Sequence, residues 1–285
     1  MAKFLLSGFA DEIDTKLDVQ VKELKRLGID RIEIRGVNGK SIIDYTEEET
    51  KEFKKLFDDE GITVSALGSP IGKIGIKDPF SEHLDKFKHT INLAGILETD
   101  YIRMFSFYMP ENENPDKYRD EVLERWYGFV EAAKGTGLVL AHENEKGIYG
   151  DTAQRCLDII ESMNVSYVRA VFDPANFIQC HEETYPKAFN MLAPYISYMH
   201  IKDAILDTGE VVPAGYGDGK ILEIIKELDS RVDSEMVLSL EPHLGSFEGL
   251  AGLEKALNLS NMEQSGPGKF ELAVTALRAI LKEVN

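Results

Sequence analysis

Short, apolar, β-branched runs alternate along this chain with stretches in which apolar residues recur every three or four positions. The runs predict strands near 4–9, 31–35, 63–68, 101–107, 138–143, 168–173, 196–201 and 236–241. Each is apolar enough to be covered on both faces, as parallel strands are. The stretches between them predict amphipathic helices. Leu17, Val21 and Leu24 form one stripe, Val122, Leu123, Trp126, Phe129 and Val130 another, and Ala273, Leu277, Ile280 and Leu281 a last one. Helix-start signals fit the alternation: Thr46 with Glu49 reads as a capping box, Asp78-Pro79 as a cap and first turn, and Asp151 as a further cap.

Strand and helix alternating in this way predict an α/β fold, a single-domain (β/α)8 barrel over 1–285. A doubly wound open sheet is the structural alternative. It would place a glycine-rich phosphate turn after the first strand, and Ser7-Gly8-Phe9-Ala10-Asp11 is not one. The segment from about 244 to 270, rich in Gly, Ser and Asn, reads as a loop insertion between the last strand and the last helix.

Composition narrows the function. With 50 Asp and Glu against 32 Lys and Arg, the formal charge of −18 repels nucleic-acid backbones and anionic membranes, so neither is an expected partner. The start Met1-Ala2-Lys3-Phe4-Leu5-Leu6 is too short an apolar run for a signal peptide and meets Asp11, Glu12 and Asp14. No stretch is long enough to span a bilayer. Two cysteines, Cys156 and Cys180, have neither metal nor redox spacing, and a cytoplasmic protein is expected.

Barrel enzymes carry their working groups at the C-terminal ends of strands. Four consecutive strands end in polar residues: His142-Glu143-Asn144-Glu145, Asp173-Pro174-Ala175-Asn176, His200-Ile201-Lys202-Asp203 and Glu241-Pro242-His243. Their ends converge, so Glu143, Asp173, His200 and Glu241 are expected to meet. Three carboxylates in one partly buried place repel unless a cation lies between them. Oxygen-rich ligation with one imidazole suits Mn²⁺ best, with Mg²⁺ and Co²⁺ as alternatives, rather than a structural zinc. Lys202 shares a face with His200 and is a candidate substrate contact, with a surface salt bridge as the competing reading. The loop Gly68–Lys77 offers backbone N–H groups, Lys73 and Lys77 at the barrel mouth without the spacing of a nucleotide-binding loop. Arg35 and Arg103, near strand ends, are further candidates. His142 and His243 adjoin the expected ligands, and packing roles compete with substrate contact. His83, His89 and His181 are expected to be solvated.

In these motifs the chain resembles the xylose isomerase-like barrel superfamily, and within it the sugar phosphate isomerase/epimerase branch. The resemblance rests on Glu143-Asn144, Phe172-Asp173-Pro174-Ala175-Asn176, His200-Ile201-Lys202-Asp203, Leu240-Glu241-Pro242-His243 and the Gly217-Asp218-Gly219 turn. It implies one divalent metal held by Glu143, Asp173, His200 and Glu241, with Glu143 and Glu241 also forming the acid/base pair. It further implies a small sugar or sugar derivative as partner, and leaves assembly into a homo-oligomer open. One position departs: ketose 3-epimerases have a substrate-contacting His three residues after the ligand Asp, where this chain has Asn176, which argues against a ketohexose 3-epimerase.

A carboxylate can remove a proton next to a carbonyl only if the resulting enediolate is stabilised as it forms. Returning the proton to the opposite face gives epimerisation, returning it to the neighbouring carbon gives isomerisation, and loss of a β-leaving group gives a lyase or dehydratase. An isomerase/epimerase is therefore the first expectation. A lyase acting on a keto-inositol or 3-keto-glycoside is the second, and a non-catalytic sugar-binding barrel is a third. The DNA-repair endonuclease branch of the superfamily, with its trinuclear, histidine-rich site, is disfavoured by six mostly misplaced histidines and the charge of −18.

Overall fold

The computed structural model describes residues 2–244 and 266–284. Eight parallel strands form one sheet: β1 (Lys3–Gly8), β2 (Arg31–Ile34), β3 (Thr63–Gly68), β4 (Tyr101–Met104), β5 (Val139–Glu143), β6 (Val168–Phe172), β7 (Ile196–Ile201) and β8 (Glu235–Leu240). Neighbours in the chain pair in order from β2 to β8, and β8 pairs with β1. Strands β1 and β2 lie side by side and bring the sheet round into a single-domain (β/α)8 barrel. The outer helices are α1 (Leu17–Arg26), α2 (Glu47–Glu60), α3 (Ser81–Leu97), α4 (Arg119–Ala133), α5 (Ala153–Met163), the short α6 (Pro174–Gln179) and α7 (Phe189–Leu192), then α8 (Ile221–Arg231) and α9 (Gly266–Val284).

The apolar stripes are what hold the helices to the strands. Leu17, Val21 and Leu24 of α1, Val122, Trp126 and Phe129 of α4, and Ala273, Leu277 and Ile280 of α9 are all buried in one continuous core. Burying each large side chain contributes about 1.5–3 kcal/mol, enough together to fix helix orientation. Among the described residues no helix is long and apolar enough to cross a membrane.

Three local expectations are corrected. The capping box of Thr46 and Glu49 forms, but α3 starts at Ser81 with Phe80 as its cap, because Asp78 is spent accepting the Gly75 N–H at 2.8 Å. Thr152, not Asp151, caps α5, while Asp151 pairs with Arg155 at 2.8 Å. Helix α9 begins at Gly266, inside the stretch expected to be loop, since Phe270 and Leu272 bury an apolar face one turn earlier than the pattern suggested. The rest of the expected insertion, 245–265, lies outside the described residues.

Candidate metal centre

Strand ends β5 to β8 deliver their side chains to one point. Asn144 ties β5 to β6: its side chain donates to the Asp173 carbonyl and accepts the Asp173 N–H, each at 2.9 Å. Asp173 caps α6, its Oδ1 accepting the Asn176 N–H at 2.9 Å, which leaves Oδ2 turned inward. On β7, Tyr198 and His200 alternate with outward residues and so share the inner face. The result is that one ligand atom each from Glu143, Asp173, His200 and Glu241 lies within 4.8 Å of the others, all four residues buried.

One of these atoms carries the fit test for a cation. His200 Nδ1 is buried and makes no hydrogen bond, and Asp173 Oδ2 is buried against Lys202 Nζ at 2.8 Å. Nδ1 faces Glu143 Oε1 at 3.2 Å, Glu241 Oε2 at 3.6 Å and Asp173 Oδ2 at 3.9 Å. Buried polar atoms are rarely left unbonded, and an unbonded imidazole nitrogen facing three buried carboxylates forms the donor set of a dication. The residues fit a divalent metal.

Protonation follows the crowding. Burial opposes charge on His200, but Glu143 and Glu33 outweigh it and raise the imidazole well above its ordinary value. Burial pushes the Asp173 carboxyl up to about 6 against the pull of Lys202, with repulsion from Glu143 and Glu241 adding to it. Glu143 and Glu241 shift the other way. Burial is overcome by His200 and Arg103 for the first, and by Lys202, His200, His243 and Arg35 for the second.

Lys202 is not on the surface. Its Nζ is buried and stands 2.8 Å from both Glu241 Oε2 and Asp173 Oδ2, so the salt bridge is real but belongs to the cluster. Arg103 donates to Glu143 Oε2 at 2.7 Å, and Asn176 donates to Glu143 Oε1 at 3.1 Å. Asn176 thus braces a glutamate. Arg35 donates to Glu241 Oε1 at 2.9 Å, with His243 Nε2 3.5 Å from the same oxygen. Lys73 lies 3.2 Å from Glu145 and over the Phe105 ring.

A cavity of about 480 Å³ opens over the cluster, with Arg35, Lys73, Arg103, Glu241 and His243 among its lining. A wider opening of about 640 Å³ lies at the other end of the barrel, by Phe4, Asp30, Arg31 and Arg278, away from the cluster.

Other expectations fare unevenly. The loop after β3 has most of its N–H groups already occupied: Ile71 donates to Ser69, Gly72 to His83, Lys73 to Pro70 and Ile76 to Tyr108. At Gly72, with φ of +92°, a Cβ would strike the Phe105 carbonyl, so the glycine serves close packing. Lys77 points away to Glu113. His83 is buried, not solvated, because it accepts that Gly72 N–H at 2.7 Å, and burial lowers its pKa to about 4. His89 is half-buried and bonds the Tyr45 carbonyl at 2.8 Å, whereas His181 is exposed. His142 packs outward on Trp126 and Ser106. Asp203 accepts four backbone N–H groups, from Ala204, Gly215, Gly217 and Gly219, which explains the Gly217-Asp218-Gly219 turn as a loop folded around a carboxylate. Sequence reasoning missed Glu33. Its signal was an acidic residue in the middle of the apolar strand Arg31-Ile32-Glu33-Ile34.

Fold and cluster together define a β/α barrel with a carboxylate and imidazole centre at the C-terminal ends of its strands. The chain belongs to the xylose isomerase-like TIM barrel family, whose model matches residues 21–260. No curated protein matches it. Among solved structures it is similar to the probable 3-DHS dehydratase AsbF of petrobactin synthesis from Bacillus anthracis, at 17% identity and TM-score 0.73, covering 98% of this chain and 99% of that one. It is also similar to the IolI protein with a bound zinc atom, at 14% identity and TM-score 0.75, covering 99% of each chain. A third is 3-keto-D-glucoside 4-epimerase YcjR from E. coli, at 14% identity and TM-score 0.68, covering 90% of this chain and 98% of that one.

Proposed function

We propose that the chain is a divalent-metal-dependent isomerase or epimerase of a sugar or sugar derivative, moving a proton next to a carbonyl by way of an enediolate. The observation that carries this reading is the buried set of Glu143, Asp173, His200 and Glu241, with His200 Nδ1 unbonded among the three carboxylates. Mn²⁺ is the first choice of ion, with Mg²⁺ and Co²⁺ next. When bound, the metal would polarise the substrate carbonyl and offset developing negative charge. The chain's own groups do the rest. Glu143 and Glu241 reach the cluster from different strands, so one can take a proton from carbon while the other returns it on another face. Arg103 and Arg35 hold one oxygen of each glutamate and leave the other directed at the cluster. Lys73, Arg103 and His243 at the cavity, with Lys202 beneath, are the proposed substrate contacts; Asn176 acts through Glu143.

Dehydration of an oxidised sugar is the second reading, supported by the full-length likeness to a probable dehydratase. The same base would act, with a β-hydroxyl leaving. Screening ketoses, keto-inositols and keto-glycosides with Mn²⁺ in heavy water tests both. Deuterium appearing at a substrate carbon with mass otherwise unchanged supports the first, loss of water or an aglycone supports the second, and no exchange with any class rejects both.

A further inference from the structure

Glu33 lies in β2, fully buried, where the pairing of β2 with β3 shifts register between Ile32 and Glu33. Such a bulge re-aims the side chain beside it. The carboxylate is turned to the barrel axis, where Ser239 Oγ donates to it at 2.6 Å and the Tyr198 hydroxyl at 2.9 Å. His200 Nε2 stands 3.3 and 3.2 Å from its two oxygens. Both hydroxyls donate to this carboxylate, which acts here as the acceptor, so Nε2–H is the donor toward it. That assigns Nδ1 as the atom presented to Glu143, Asp173 and Glu241. Ring edges from Phe9 at 5.1 Å and Tyr198 at 5.6 Å keep the imidazole from turning over.

We propose that Glu33 is a positioning residue that fixes the ring orientation of His200, holding Nε2–H toward itself so that Nδ1 faces the carboxylate cluster and is the nitrogen that gives up its proton when a metal binds. The proposal rests on the metal reading above for its purpose, but not for its geometry. Glu33 is not part of the cavity lining, and it meets the cluster through His200. It acts from the far side of the histidine, as carboxylates behind ligand imidazoles do, where their loss weakens metal affinity about 10–100-fold. Tyr198 and Ser239 orient Glu33 in turn.

The test uses the full chain with ¹⁵N-labelled histidine. In the metal-free protein, His200 should show a ring Nε2–H resonance protected from solvent exchange, assigned by its absence in His200→Gln. Glu33→Ala should lose it and bind Mn²⁺ about 10–100-fold more weakly by titration calorimetry. Glu33→Gln keeps volume and one neutral acceptor, so it should fall between, with faster exchange and smaller loss, at a near-normal melting temperature. If Glu33→Ala does not fold, Glu33→Gln decides alone: unchanged exchange and unchanged affinity overturn the proposal. It is likewise overturned if the wild type shows no protected resonance, or if the resonance is lost while Mn²⁺ affinity stays the same. Should the wild type bind no Mn²⁺ yet show the resonance, lost in the variants, the role of Glu33 stands and the metal reading falls.

Discussion

Glu143 and Glu241 face the same cluster from two sides that are built differently. On the first, Arg103 and Asn176 close over Glu143, all three buried, and Arg103 is braced between the rings of Phe9 and Phe105 at 5.2 and 4.6 Å. On the second, the clamp is Arg35, 26% exposed, itself held by Asp11 at 2.8 Å and Glu12 at 3.3 Å, with His243 45% exposed beside it. Glu241 lines the cavity, whereas Glu143 lies behind Arg103. The same pairing of glutamate and arginine is therefore enclosed by buried partners on one side and held by partly exposed partners at the cavity rim on the other. A base that exchanges its proton with water belongs on the rim.

The largest effects should come from removing either base. Glu143→Gln and Glu241→Gln each keep an oxygen ligand, and turnover on a substrate found by the heavy-water screen should fall by about 10²–10⁴ with metal partly retained. The difference between the sides predicts that Glu241→Gln also stops wash-in of solvent deuterium, while Glu143→Gln still exchanges it without completing the reaction. The opposite pattern would reverse the assignment of first base. Near-normal rates in both variants would remove proton transfer from the mechanism.

Next in size is the arginine pair. Arg103→Met strands a buried carboxylate and should cost about 3–5 kcal/mol of metal-free stability, whereas Arg35→Met, whose guanidinium is partly exposed and whose partner Glu241 keeps Lys202, should cost less and act mainly on kinetics. Urea unfolding of the two variants reads this directly, and equal losses would erase the distinction between the enclosed side and the rim. Lys202 bridges Asp173 and Glu241 across the seam. Lys202→Met should destabilise the metal-free chain by a similar few kcal/mol, about 3–5, with added Mn²⁺ restoring much of it because the ion replaces the lost charge. Loss that Mn²⁺ does not relieve would make Lys202 a packing residue. Turnover in this variant should fall with metal content normal.

The smallest effect is acid sensitivity of the loop after β3. His83 has its pKa lowered from 6.5 to about 4, so the unfolded chain takes up a proton that the folded one refuses. The stability it contributes is complete above pH 6.5 and is lost as pH falls from there through about 4. Thermal melts of wild type and His83→Gln across that window should converge toward its acid end; parallel curves would free His83 of this role.

Much of the barrel was legible because burial on both faces leaves a contiguous signature: the strands near 168–173 and 196–201 emerge within a residue of those read from the sequence. The four cluster residues were legible because a polar side chain ending an apolar strand is conspicuous. Helix starts at Ser81 and Ala153 were misjudged by a few residues at most, since Asp78, Asp151 and Thr152 are all plausible caps and only the tertiary partners of Asp78 and Asp151 chose among them. His83 was read as solvated because a helix pattern shows which face is apolar but not which loop lies over it.

The sequence alone determined the order of strands and helices and which residues sit at the strand ends, because both follow from periodicities that act over a few neighbours. Only the tertiary structure decided which charges meet. Glu33 and His200 are 167 positions apart, Arg35 and Glu241 are 206, and no local pattern carries a partner across that distance. Closure of the barrel does, bringing β2 against the axis shared with β7 and β8. That closure turns an isolated acidic residue in an apolar strand into the support of an imidazole, and separates two similar glutamates into one enclosed and one open to the cavity.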